Sequence, residues 1–323
     1  MNLDKSNAPV PAAALGFDIG ATSIKAGIVS SDGKMLESWH QPSPRSRETL
    51  RDFIHACLNK TKAPIKGVGV GCRGIIDPRT SRINDIPGVL QFLKGTLLTE
   101  LIGVDGLLVR VDNDARTALL AEVLWGAARG RRNVVLLTLG TGVGGAAMVD
   151  GVILHGAAGI AGHFGHMTVD IGGGLCICGN RGCLETRFSS RAIEADYFAH
   201  MHRAAKHRLA LGKDGQTPDT EAIFRAAANG DESAICVLDR AIESLTAAVV
   251  SLLHIFDPEV LIVGGNIVTA GEQLLVPLRT GVTKYSRRML RREVPIVAQT
   301  QIGYGGVLGA AGLVFLEHGL LKI

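Results

Sequence analysis

His166, Cys176, Cys178 and Cys183 fall in one short glycine-rich stretch, and Glu185 follows two residues after the last of them. Three thiolates and one imidazole make a closed tetrahedral set of the kind that holds zinc structurally, so such an ion would fix geometry rather than activate water. Gly179 and Gly182 let the backbone wrap tightly around it. The Cys-x-Cys spacing is tighter than the usual two to four intervening residues, which leaves a reduced cluster of buried thiols as the alternative.

Two further stretches have the composition of anion sites. Asp18-Ile19-Gly20-Ala21-Thr22-Ser23-Ile24-Lys25 puts an acid, a glycine, a hydroxyl and a lysine into a tight strand connection. Gly20 lets the main chain approach an anion, while Thr22 and the amides donate hydrogen bonds. Asp18 repels a bare phosphate, so a phosphate here implies an intervening Mg²⁺; a plain β-turn is the alternative. Gly140-Thr141-Gly142-Val143-Gly144-Gly145 spells G-x-G-x-x-G. A dinucleotide fingerprint must open a helix, whereas this loop runs into a hairpin around Asp150-Gly151. The chain has no Walker-type Gly-Lys-Ser/Thr either. Gly264-Gly265-Asn266 directly follows a buried apolar run.

Val111-Asp112-Asn113-Asp114-Ala115 joins a buried strand to a helix. Asp114 there is a general base or an ordinary helix N-cap; the residues alone leave both open.

Taken together, these motifs resemble the ROK family of sugar kinases and repressors, from about Leu15 to the last helix. The resemblance implies an actin-like (ribonuclease H-like) α/β fold of two lobes, with a zinc-binding loop. It implies ATP-dependent phosphorylation of a hexose at its 6-hydroxyl, with Mg²⁺ as cofactor and structural Zn²⁺ held by His166, Cys176, Cys178 and Cys183. Asp114 aligns with the family's catalytic aspartate and Asn113 with its sugar-binding asparagine, while Asp112 stands where many relatives have a glutamate and reads as structural. His166 and Glu185 face the sugar in the family, and Gly74 offers it a backbone contact or makes a simple turn. The nucleotide set is Asp18, Gly20, Thr22, Lys25, Gly140, Thr141 and Gly142, with Gly264, Gly265 and Asn266 on the adenosine side.

His163 departs from the commonest pattern. Most glucokinase-like members carry a glutamate there that grips hydroxyls near the first two sugar carbons, and some bacterial N-acetylmannosamine kinases of the family have histidine. A carboxylate only accepts, whereas a neutral imidazole offers one donor and one acceptor. N-acetylmannosamine or N-acetylglucosamine therefore stands beside glucose as substrate, unless His163 merely caps a turn or faces solvent. The family's repressors carry a helix-turn-helix ahead of the first glycine motif, and residues 1–14 are too few for one.

The elements that must position these residues follow from periodicity. Ala14–Gly20, Ala26–Ser30 and Met35–Trp39 form a meander. Arg47–Asn59 carries a helical apolar period, Ile65–Cys72 and Leu107–Val111 are buried strands, and a helix is expected over Phe92–Ile102 between them. A second unit opens in the same way: a helix from Ala115 to Arg129, the strand Asn133–Leu139, a glycine loop and a hairpin. Ser233–Phe256 is a long core helix, with Ile235 in its apolar stripe, Glu259–Val263 a buried strand and Gly303–Leu320 a final helix. Expected lobes are 14–112, completed by about 305–323, and 113–304 with the zinc loop 166–185; residues 1–13 form a flexible tail.

Of the 323 residues, 46% are hydrophobic and 20% charged, a globular composition with room for two cores. A net charge of +4 is modest, and the clusters at Arg129–Arg132 and Arg287–Arg292 lack interleaved aromatics, so they read as solvated faces and not as a nucleic-acid site. No apolar run reaches the length of a membrane span, and the N-terminus lacks a secretory signal, so cytoplasmic residence is expected. The six cysteines do not suggest a disulfide framework, and Cys57, Cys72 and Cys236 read as core thiols. The resemblance further implies a homodimer or homotetramer.

Overall fold

Strands β1 (Ala13–Ile19), β2 (Ser23–Ser30) and β3 (Met35–Pro42) are antiparallel neighbours, as the three apolar runs and their short turns require. A computed structural model describes residues 11–62, 64–86, 88–203 and 218–323 of the chain, so the expected tail lies outside it as far as residue 10. Helix α1 (Arg47–Lys60) starts at a capping box between Ser46 and Thr49 and buries Leu50, Ile54 and Cys57, spaced to share one face. Strand β4 (Ile65–Cys72) then runs parallel to β1.

The segment expected as one helix over Phe92–Ile102 is broken. A small hairpin, β5 (Ile75–Asp77) and β6 (Arg82–Asp85), leads into a 3-10 turn over Gly88–Leu93 and then the short helix α2 (Leu98–Ile102). Gly95 interrupts the run with a φ of 77°, and its amide turns away to donate to the Ile83 carbonyl. Strand β7 (Leu108–Asn113) returns beside β4 and passes straight into α3 (Asp114–Trp125).

The second sheet begins with β8 (Val134–Leu139), β9 (Val143–Val149) and β10 (Val152–Ile153). Asp150 and Gly151 both have positive φ at the β9–β10 turn, which matches the strand twist in a two-residue hairpin. Helices α4 (Ser190–Arg203), α5 (Thr220–Ala228) and α6 (Glu232–Phe256) follow, then β11 (Val260–Gly264), α7 (Glu272–Leu290) and β12 (Ile296–Ala298). In α6 the buried stripe runs through Ala234, Val237, Leu238, Ala241 and Leu245. Cys236 and Ile235 lie off that stripe and are exposed, so Cys236 is not the core thiol that its sequence surroundings suggested.

The two five-stranded sheets have the same plan. The first is ordered β3-β2-β1-β4-β7 and the second β10-β9-β8-β11-β12, each an antiparallel meander continued by two parallel strands. The last helix, α8 (Gly305–Glu317), packs on the first sheet and on α3. Glycine makes that contact possible: a Cβ at Gly69 would stand 1.8 Å from the Ala310 carbonyl oxygen, and one at Gly309 would stand 1.7 Å from that of Thr117.

The chain divides into two compact units, one running to Arg129 with His155–Ile160 and Gly303–Ile323, the other comprising Gly130–Leu154 and Ala161–Ile302. The first therefore extends beyond residue 112 to take in α3, because α3 buries its sides against β4, β7 and α8.

Candidate active site

In the first unit, the turn between β1 and β2 carries Gly20 and Thr22, with Asp18 near the end of β1 and Lys25 near the start of β2. Gly20 donates to the Ser23 carbonyl at 3.1 Å, and the buried Ser43 braces the turn by donating its hydroxyl to the Gly20 carbonyl and its amide to that of Thr22. Burial pushes the Asp18 carboxyl up to about 7; the neighbouring Asp114 carboxylate adds to the rise and Lys25, its cross-strand partner, opposes it. Gly306, in the first turn of α8, lies so close to Asp18 that a Cβ there would stand 2.6 Å from its carboxyl carbon. The Lys25 ammonium donates to the Gly303 carbonyl at 2.7 Å and sits 5.7 Å from the Tyr304 ring centre, so one of its three donors already anchors the entry to α8.

Asp114 is the first residue of α3, but the cap is Asn113, whose Oδ1 accepts from the Ala115 amide at 2.9 Å. The Asn113 Nδ2 donates to the Gly74 carbonyl at 3.0 Å, which ties this junction to the glycine at the end of β4. Asp114 is half-buried in the first turn of the helix, and its Oδ1 also accepts from the Ala115 amide at 2.9 Å. Asp112, by contrast, is committed to structure. Its Oδ1 accepts from Arg116, its Oδ2 pairs with His155 at 2.8 Å, and Arg116 also donates to the Gly159 carbonyl. Burial works to raise the Asp112 carboxyl, but His155 and Arg116 outweigh it and hold it below the ordinary range. Ser43, Arg116 and His155 had no sequence signal, since each partner lies in a different element. Cys72 nearby is wholly buried, and its thiol is pushed far up by that burial, with Asp114 and Asp18 adding to it.

In the second unit, His166, Cys176, Cys178 and Cys183 converge so that their ligand atoms all lie within 4.8 Å of one another. Cys176 Sγ is 3.6 Å from His166 Nδ1, and Cys178 Sγ is 3.6 Å from Cys183 Sγ. Zinc–sulfur bonds of about 2.3 Å and a zinc–nitrogen bond of about 2.0 Å at tetrahedral angles place sulfurs ~3.8 Å apart and sulfur from nitrogen ~3.5 Å apart. The four residues fit that ion. Gly182 is needed where it is: it has a φ of 64°, and a Cβ would stand 1.6 Å from the Asp170 carbonyl oxygen.

Glu185 follows on the 3-10 turn Leu184–Thr186, and its Oε2 accepts from the Val143 amide at 2.9 Å, joining it to the Gly140–Gly142 loop between β8 and β9. On that loop's other side, an ideal Cβ on Gly140 would have the Asn266 amide nitrogen as its nearest neighbour, at 4.0 Å, so this loop and the Gly264–Asn266 loop adjoin at the ends of β8 and β11. Gln299 braces the latter, accepting from the Gly265 amide at 3.4 Å and donating to the Gln301 carbonyl at 3.0 Å. Thr141 is exposed at the loop tip. His163 precedes the 3-10 turn Phe164–His166 and makes no side-chain cap; its ring lies nearly parallel to that of His166, with centres 6.4 Å apart.

The ROK family model matches residues 14–316. The chain belongs to the ROK family. It is 34% identical over 309 residues to a glucokinase from Thermotoga maritima, covering 93% of this chain and 96% of the relative. An N-acetylmannosamine kinase from Escherichia coli is 32% identical over 259 residues, 78% of this chain and 82% of that one. Among solved structures, a ROK family glucokinase from Streptomyces griseus in complex with glucose and AMPPNP superposes with a TM-score of 0.80 at 30% identity, covering 93% of this chain and 98% of that chain. The α/β architecture with its paired mixed sheets is the actin-like fold of this family's sugar kinases. Among the described residues no helix is long and apolar enough to cross a membrane.

Proposed function

We propose that the chain is an ATP-dependent hexose kinase that phosphorylates the 6-hydroxyl, with glucose as its leading substrate. Similarity to a glucokinase over nearly the full length of both chains carries this reading. Phosphoryl transfer passes through a loose transition state, so the protein's task is to place groups and spread charge. Asp114 orients the 6-hydroxyl through hydrogen bonding and takes its proton as the oxygen bonds to phosphorus. Asn113, capped into place, presents its amide to a neighbouring hydroxyl. In the second unit, Glu185 Oε1 accepts from a sugar hydroxyl, and His166 directs Nε2 toward the sugar once Nδ1 is on zinc. The amides around Gly140, Thr141 and Gly142 and those of Gly20 and Thr22 hold phosphate oxygens, with Gly264, Gly265 and Asn266 beside the adenosine and Lys25 adding positive charge.

Asp18 is the carboxylate that suits Mg²⁺: its raised value marks a buried acid beside a second acid, which Lys25 offsets only in part. When bound with the nucleotide, the ion neutralises charge on the phosphate oxygens. Zinc is held by the tetrad and keeps His166 and Glu185 on one short loop. Three thiolates suit a reducing compartment, which supports residence in the cytoplasm; the assembly is a homodimer or homotetramer, to be measured by light scattering.

A coupled assay of ADP release over glucose, mannose, N-acetylglucosamine, N-acetylmannosamine and allose tests the substrate. A second reading, N-acetylmannosamine as substrate, is favoured by the histidine at position 163, whose imidazole can donate as well as accept. In that case a 2-acetamido sugar rivals glucose in kcat/KM, and His163→Glu shifts preference toward glucose by about tenfold or more. Efficient use of glucose alone, with a ranking unmoved by His163→Glu, removes this second reading.

A further inference from the structure

The Gly140–Gly142 loop is tied at two points to the segment that carries Glu185. Val143 donates its amide to Glu185 Oε2 at 2.9 Å, and Ser190, which opens α4, donates its amide to the Gly140 carbonyl at 2.8 Å. Gly142 lies between these ties. Its φ is not in the left-handed region, so the turn itself does not demand glycine. What a side chain there would disturb is the carboxylate that holds the Val143 amide: a Cβ at 142 would stand 2.5 Å from Glu185 Oε2 and 3.3 Å from its carboxyl carbon.

We infer that Gly142 and the Val143 amide are positioning elements for Glu185, so that the sugar-facing acceptor and the nucleotide loop are set together and the sugar and ATP bind interdependently. This rests on the reading of Glu185 as a sugar ligand. With Oε2 fixed on Val143, Oε1 is presented in one orientation, and a sugar hydroxyl donating to it draws on the same carboxylate that holds the loop. A sugar that orders Glu185 thereby orders the amides on which the phosphates rest. Reciprocity follows: the nucleotide raises sugar affinity by the same factor as the sugar raises nucleotide affinity.

The test uses the zinc-replete full chain and calorimetric titration of a non-hydrolysable ATP analogue with Mg²⁺, at zero and at saturating glucose or whichever sugar the assay selects. The parent should bind the analogue about fivefold or more tightly with sugar present. Gly142→Ala should cut that ratio to within about twofold of one and weaken the sugar by about tenfold, the scale of a hydrogen bond to a charged group. Glu185→Asp, with its shorter arm, leaves room for the added methyl. The double variant should therefore lose much less sugar affinity than the product of the two single losses. A parent ratio near one, an unchanged ratio in Gly142→Ala, or losses that multiply would overturn the inference. Normal sugar affinity in Glu185→Ala would instead remove the premise that this carboxylate binds sugar. Melting temperature and zinc content measured on each variant separate a local displacement from a misfolded loop.

Discussion

Under the proposed function Asp114 is the base, and it stands in the first turn of α3 directly after the cap residue Asn113. The Asp114 carboxylate accepts from the same Ala115 amide as the cap, at 2.9 Å, which fixes its place in the first turn. Asp114→Asn should lower kcat by about a hundredfold to ten-thousandfold with sugar affinity retained; steady-state kinetics within a few-fold of the parent would leave it a spectator. Asp18 is the opposite case, a group that costs stability. Its carboxyl titrates near 7 in the folded chain against an ordinary value of 3.8, so between those values the folded chain keeps a proton that the unfolded chain has released. Stability of the ligand-free protein therefore falls as pH rises through that window. Asp18→Asn should melt a few degrees higher than the parent at pH 8, with the gap closing near pH 4, while losing turnover with Mg²⁺ and ATP. A gap independent of pH would show that the charge of Asp18 is not its source.

At the scale of elements, the zinc loop, the two glycine loops and the strands leading into them were legible in the sequence because each is local: the spacing of Cys176, Cys178 and Cys183 and the glycines around them are set by neighbours along the chain. The break of the expected helix at Gly95 was not legible, since its amide is taken by Ile83 on a distant strand. Neither was the Asp112–Arg116–His155 group, which joins two segments far apart in sequence, nor α7, whose helical period is obscured by Pro277 and Gly281. Within the zinc loop Ile171, Leu175 and Ile177 are exposed, and it is held by backbone bonds such as Cys176 to the Asn180 carbonyl and Gly182 to that of Gly174, to which a zinc ion on the four ligands would add. Cys176→Ala should lose zinc, lower the melting temperature and raise the sugar KM together, since second-site support of a ligand loop depends on the ion. Metal analysis showing zinc retained, or a zinc-free variant with parental KM, would separate the loop from the sugar site.

Across the whole molecule, the two sheets repeat one strand order, and each places its glycine loop at the turn that follows its first strand. The strand before the first sheet's loop carries an acid, Asp18, and the strand before the second sheet's loop carries none, so under the proposed function the first would serve a metal-bridged phosphate and the second direct amide contact. The most direct measurement of this account is the site of phosphorylation. Protein incubated with glucose, ATP and Mg²⁺ should yield a product whose phosphorus couples to the two C6 protons in a proton–phosphorus correlation spectrum, and Asp114→Asn should yield essentially none. Phosphorus coupled to the C1 proton, or ADP formed with no phosphorylated sugar from glucose or the acetamido sugars, would contradict it.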